Sequence, residues 1–235
     1  MSAKLAKSAL ISFSSPERKK TCESFFKLRA GEYGEGDVFI GVRTPHIRQV
    51  AKDFAYLSFP DLRDLMTSKI HEERCLALLI LIRQYDHNPH QIYEFYLQHT
   101  AHINNWDLVD VSAHYIVGKH LLDKDRAILY DLVRSDNLWE RRVAMVATWW
   151  FIRHNEFEDT LRLAEALLDD KHDLMHKATG WMLREVGKKD VSVLREFLDQ
   201  HRLVMPRTAL RYAIERFVPE ERARYMKKNE VNLCG

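Results

Sequence analysis

The two residues in this 235-residue chain with the clearest chemical potential are Trp106 and Asp110, within Asn104-Asn105-Trp106-Asp107-Leu108-Val109-Asp110. Four residues apart in a helical setting, an indole and a carboxylate lie on one face. Together they can stabilise a developing positive charge better than either group alone. A blander reading stands beside this one. Trp106 could be a core residue on an apolar stripe with Leu108, Val109 and Ile116, and Asp110 a surface or capping carboxylate. Asp107 is the alternative acidic partner, but its place next to Asn104 and Asn105 suits first-turn charge on a helix.

A second constellation is Trp181, Arg184 and Lys188, at spacings of three and seven that share one helical face. An indole beside two cations can stack on a sugar and hold phosphates. The alternative is a core Trp rimmed by snorkelling cations. Gly180 leaves room beside Trp181 for a close backbone approach. The third is Asn137-Leu138-Trp139-Glu140-Arg141-Arg142. Asn137 reads as a helix cap and Glu140 with Arg141 as a solvated pair, which leaves Arg142 as the cation of interest. Trp149 and Trp150 lie in an apolar run and are expected in the core.

The elements that must position these residues are helical. Eight Gly and six Pro are few for this length, and no stretch shows convincing strand alternation. Residues 1–15 read as a short leading helix or a loose arm. Pro16 opens a helix expected to reach about Leu28, and the Gly-rich run 30–37 is a loop whose spacing matches neither phosphate-cradling pattern. Thr44 as N-cap with Pro45 behind it starts a helix expected to end near Leu57. Ser58-Phe59-Pro60 starts the next.

From there the pattern is helix, short break, helix. Arg74, Arg142, Lys177 and Arg211 each stand near the start of an apolar helix, at separations of 68, 35 and 34 residues. That is a period near 34, with the missing member at Leu108. Stacked helical pairs give such a period, so the expected fold is an all-α, HEAT-like helical-repeat solenoid, one domain over residues 1–235. Cations at one repeat phase would form a basic stripe on its concave face; the alternative is that they simply solvate the helix ends.

Other classes are argued against. With 36 basic and 34 acidic residues, net charge +2, polyanion binding must come from segregated cations rather than from the total. No segment approaches the roughly 20 apolar residues of a membrane span. The start of the chain lacks a signal-peptide core, so a cytoplasmic protein is expected. Cys22, Cys75 and Cys234 are far apart, odd in number and form no CxxC. His172 and His176 have i,i+4 spacing without the Glu of HExxH or a third ligand, so no metal is expected. No nucleophile elbow stands out.

Taken together and in this order, GVRTPHIR (41–48), NNWDLVD (104–110), SDNLWERRVA (135–144) and HKATGWMLREVGK (176–188) resemble the AlkD-type DNA alkylation repair proteins, HEAT-like-repeat DNA glycosylases. The resemblance runs from about Phe25 to Phe217. It implies a basic concave face gripping double-stranded DNA and hydrolysis of the N-glycosidic bond of cationic alkylpurines, chiefly 3-methyladenine and 7-methylguanine, without a cofactor. It places the catalytic Asp on Asp110 and the cleft tryptophans on Trp106 and Trp181. DNA-contacting positions fall on Arg142, Arg184, Lys188, Arg43, Thr44 and Arg48, and Lys177 joins them through the repeating phase. Phe25 is the nearest match to a cleft aromatic of the N-terminal helix, without a Tyr hydroxyl. A concave solenoid of this kind can act as a monomer. Two alternatives are carried alongside: a non-catalytic DNA-binding member of the same fold that recognises unusual DNA structure, and a HEAT-type protein-interaction scaffold.

Overall fold

The structure is a computed structural model, and it describes residues 1–227; Cys234 lies outside them. Among the described residues there is no strand, only an isolated parallel bridge between Val38 and Ile70. The fold is an all-α, HEAT-like repeat arrangement, which divides into two compact units, Met1–His120 and Leu121 onward.

The first unit contains α1 (Ala3–Ile11), α2 (Pro16–Phe25), α3 (Thr44–Asp53), α4 (Phe59–Met66), α5 (His71–Gln84), α6 (Pro89–Gln98) and α7 (Trp106–Ala113), and α7 runs into a π-helical turn, His114–Gly118. Its centre is α5, in which every residue from His71 to Leu81 is buried. A helix that is covered on all sides needs neighbours on all sides, and α5 packs on α3, α4, α6 and α7. Leu76, Leu78, Ile80 and Leu81 are wholly enclosed, each contributing roughly 1.5–3 kcal/mol by burial.

The leader is a packed helix rather than a loose arm. Ala3, Ala6 and Leu10 of α1 are buried against α3 and α4, and the Ala3 N–H donates to Asp61 at 2.9 Å. Two helices end earlier than their apolar spacing suggests. α2 stops at Phe25, two residues before Lys27 takes a positive φ of 53°. α3 stops at Asp53, and Thr44 is its first residue while Arg43 occupies the N-cap without a side-chain bond.

The second unit contains α8 (Ala127–Leu132), α9 (Leu138–Ala147), α10 (Trp149–Arg153), α11 (Glu158–Ala166), α12 (Asp173–Lys189), α13 (Val191–His201), α14 (Arg207–Ala213) and α15 (Pro219–Met226). Here α12 is central, packing on α9, α10, α11, α13 and α14 with Met175, Ala178, Met182, Leu183 and Val186 buried. Gly180 lets α14 come close: a Cβ at that position would stand 2.4 Å from the Ala209 carbonyl oxygen. The close backbone approach expected at Gly180 is thus made by a neighbouring helix. Asn137 caps α9, its side chain accepting from the Trp139 N–H at 2.9 Å. Trp149 and Trp150 depart from expectation. Both are only half-buried, and the Arg153 guanidinium lies over each ring.

Candidate functional site

Trp106 opens α7, and Asp110 follows one turn later; both are half-buried. The start of α7 is fastened by a buried polar network. Asn105, fully buried, accepts from the Trp106 N–H at 2.9 Å. Asp37 collects four donors: His71 at 2.9 Å, Arg74 at 2.5 Å, Asn104 at 3.0 Å and Asn105 at 3.3 Å. The other ring nitrogen of His71 bonds Asp107 at 2.8 Å. Asp37, His71 and Asp107 therefore form a line from the core to the first turn of α7. Its far end is held too. Tyr96 of α6 bonds the Ser112 hydroxyl at 3.0 Å, and burial, with the charge of Asp110 adding to it, pushes the Tyr96 hydroxyl pKa up.

Electrostatics make His71 a cation. Burial opposes its charge, but the carboxylate of Asp107 and then that of Asp37 outweigh burial and lift its pKa to about 9. Burial likewise works against Asp37, and the His71 hydrogen bond and the Arg74 charge overcome it, holding the carboxyl down at about 2. At neutral pH both ring N–H groups of an imidazolium donate to carboxylates.

Beside this network is a cavity of about 470 Å³, lined in part by Phe25, Phe26, Phe39, Glu72, Trp106 and Asp107. Phe25 is 61% exposed, and its ring meets Trp106 edge-on at 5.9 Å. Phe26 stacks between Phe39 at 4.8 Å and Trp106 at 5.5 Å. The wall continues through Glu72, whose carboxylate accepts from the N–H groups of Ile40, Gly41 and Val42. Gly41, at a φ of 81°, permits that turn. This clamp sets the chain entering α3, and Arg43, Thr44 and Arg48 are exposed along it. Cys22 and Cys75 also line the cavity. Burial raises both thiol pKa values, which makes them apolar wall rather than nucleophiles.

In the second unit Trp181 is half-buried on α12, with Arg184 and Lys188 on the same helix. Both cations have acidic neighbours: Arg184 bonds Glu215, and Lys188 pairs with Glu185. Lys177 pairs with Asp173 at 2.7 Å. The expected stripe of like cations is not uniform. Arg74 and Arg142 are 3% and 4% exposed and bond inside the protein, Arg74 to Asp37 and to the Ser68 carbonyl, Arg142 to the Leu174 carbonyl. Glu140 and Arg141 are not a solvated pair either. Glu140 bonds the Ser135 hydroxyl, while Arg141 reaches Asp170 and the carbonyls of Ser135 and Asp136.

His172 and His176 are engaged locally. His172 accepts from the Leu174 N–H, and His176 donates to the Asp170 carbonyl. Sequence reasoning missed Asp37 and His71 and gave Asp107 only a first-turn role. Asp37 ends a Gly-rich loop and His71 precedes an apolar run, so neither stands in a motif.

Three comparisons bear on this geometry. The family described as "DNA alkylation repair enzyme" matches residues 6–217. A solved structure described as a predicted DNA alkylation repair enzyme from Enterococcus faecalis superposes with a TM-score of 0.68 at 17% identity, covering 88% of this chain and 97% of its own. Another, described as a new family related to the HEAT-like repeat DNA glycosylases with affinity for branched DNA structures, gives a TM-score of 0.59 at 12% identity, covering 91% and 83%. Among curated proteins none matches.

Proposed function

Because the chain belongs to the DNA alkylation repair enzyme family, we propose that it is a DNA glycosylase acting on cationic alkylated purines, 3-methyladenine and 7-methylguanine, in duplex DNA. The observation that carries this reading is the fastening of α7: Trp106 and Asp110 share a helix whose first turn is fixed by Asp37, His71, Asn105 and Asp107. A preorganised carboxylate needs no reorganisation as charge develops beside it, which is where electrostatic catalysis gains most.

The chemistry demands little else. In a purine alkylated at N3 or N7, the C1′–N bond breaks with its electron pair moving onto the base, which leaves neutral. The deoxyribose becomes oxocarbenium-like. Asp110 stabilises that cation and orients a water, which adds at C1′ and loses its proton to give the abasic sugar. Trp106 offers a π face to the positive charge, worth roughly 0.5–2 kcal/mol, and Trp181 is proposed as a stacking surface of the second unit. Arg43, Thr44, Arg48, Lys177, Arg184 and Lys188 are the proposed backbone contacts, which position without reading sequence; Arg142, buried and bonded to the Leu174 carbonyl, would have to leave that carbonyl to join them. For Arg184, Lys188 and Lys177 this requires exchanging an acidic partner for a phosphate.

The test is release of methylated purines from methylated duplex DNA by the wild type and by Asp110→Asn. Release should fall by about 10²–10³ in the variant; a wild type that binds DNA and releases nothing refutes the catalytic reading. That outcome would favour the second reading, a non-catalytic binder of unusual DNA, which the similarity to a family with affinity for branched DNA supports. Absence of any salt-dependent affinity for DNA would leave only the protein scaffold.

A further inference from the structure

We propose that the groove between α14 and α15 docks a short acidic peptide segment of a partner protein. An apolar side chain of that segment enters the groove, and the carboxylates flanking it pair with Arg211 and Arg222. This interaction is separate from the glycosylase reading and does not rest on it.

One wall comes from α15, where Pro219, Arg222, Ala223 and Met226 recur at helical spacing and share one face. The other comes from α14 and its C-cap, as Arg211 and Ile214. Between them is a cavity of about 300 Å³, at the small end of the roughly 300–1,000 Å³ typical of binding sites. Its apolar floor is held in place. Ile214 is 1% exposed, and Tyr225, also buried, packs α15 against the Phe217 ring at 5.6 Å. The Arg207 guanidinium donates to the Met226 carbonyl at 2.5 Å and meets its sulfur at 3.4 Å. A surface fixed in this way loses little freedom when it is occupied. α15 lies beyond residue 217, the end of the match to the DNA alkylation repair family, so the groove is no part of what that match describes.

The charge of the groove is one-sided. Its lining holds two guanidinium groups and no carboxylate. Glu220 and Glu221 of α15 fall off the groove face by their spacing, and Glu221 is taken by Arg195 at 2.8 Å and by Arg224 at 3.7 Å. Arg222 is exposed and has no ion-pair partner among the described residues, and Arg211 reaches only the Thr208 hydroxyl at 3.4 Å. The carboxylates that share the adjoining cavity with Arg211, Asp173 and Glu215, are already paired with Lys177 and Arg184. Two arginines without counter-charge beside an apolar floor call for a ligand that carries both carboxylates and an apolar group. Arginine at the edge of an apolar pocket is also the make-up of energetic centres in protein–protein interfaces. A DNA strand would use the arginines through its phosphates and leave the floor empty, so an acidic peptide is the better fit.

The experiment is fluorescence anisotropy of the full chain with a labelled peptide, blocked at both ends, of aspartates around one central leucine. The proposal expects saturable binding that weakens with added salt. Affinity should fall about tenfold when the leucine is replaced by serine, and about fivefold in each of Arg211→Ala and Arg222→Ala. Ala223→Glu, at an exposed position of the groove face, should abolish binding while the circular dichroism spectrum stays unchanged. The Arg211→Glu, Arg222→Glu double variant should instead bind the same peptide with lysines in place of the aspartates. No saturation up to about 1 mM, equal binding of the leucine and serine peptides, or full binding by Ala223→Glu would each overturn the proposal. So would competition by nucleic acid: if duplex DNA displaces the peptide and both arginine variants weaken DNA binding as much as peptide binding, the groove is a phosphate contact.

Discussion

Raising the pH should unfasten the first turn of α7 at His71. The imidazolium donates to Asp37 at 2.9 Å and to Asp107 at 2.8 Å, with Arg74 bonded to the same Asp37 and the Phe26 and Phe39 rings beside it. Its pKa is lifted from 6.5 to about 9. The folded state therefore binds the proton more tightly than the unfolded chain does. The resulting stability is fully present below pH 6.5 and disappears as pH rises through about 9. A shift of this size corresponds to on the order of 3 kcal/mol, at about 1.36 kcal/mol per pH unit. Urea unfolding followed by circular dichroism between pH 6 and 10 measures it, with His71→Gln as comparator to remove the contribution of Lys, Tyr and Cys groups that titrate in the same range. The wild type should lose on the order of 3 kcal/mol more than the variant on this limb. An NMR titration of the wild-type imidazole is independent of whether the variant folds. If His71 titrates near 6.5, or if both proteins lose stability in parallel, the buried-imidazolium account is wrong.

Two further substitutions probe the second unit. Gly180→Ala would push a Cβ to within 2.4 Å of the Ala209 carbonyl and 2.5 Å of the Tyr212 Cβ; overpacking should cost about 1–3 kcal/mol, read as a lower urea midpoint at unchanged m-value. A variant as stable as the wild type would mean that α12 and α14 are not pressed together there. Asn137→Ala removes the acceptor for the Trp139 N–H and should cost about 0.5–2 kcal/mol in the same assay, with Asn137→Asp recovering most of it. Failure of the Asp variant to recover would assign the loss to something other than capping.

How much could be read beforehand follows from where each signal lives. The helices were legible because apolar spacing and caps are local: Asn137 caps α9 as its position before an apolar run implies. The pair Trp106 and Asp110 was legible because type and spacing within one helix are local as well. The network behind it was not. Asp37 reaches His71 across 34 residues and Asn104 across 67, and no pattern of residue types marks contacts that only tertiary packing creates. Asp107 was read as first-turn charge because its partner, His71, comes from α5. Trp149 and Trp150 were expected in the core and are half-buried, because an apolar run by itself does not say which of its residues face the surface.

The repeating cations show why periodicity and function must be separated. Of the four cations at the repeating phase two turn inward to carbonyls, whereas Lys177 pairs with Asp173 and Arg211 reaches the Thr208 hydroxyl. Arg74 donates to the Ser68 carbonyl, Arg142 to that of Leu174, and, off the strict phase, Arg126 to Leu121 and Leu122, Arg141 to Ser135 and Asp136, and Arg207 to Met226. A guanidinium has five donors in a rigid fork and can clasp more than one carbonyl at once. The phase is vacated at one place, where the buried Leu108 stands in α7. That helix is held from outside instead, by His71 and Arg74 through Asp37, Asn104 and Asn105. Its first turns carry Trp106, Asp107 and Asp110. The break in the pattern therefore falls in the helix proposed to carry the site.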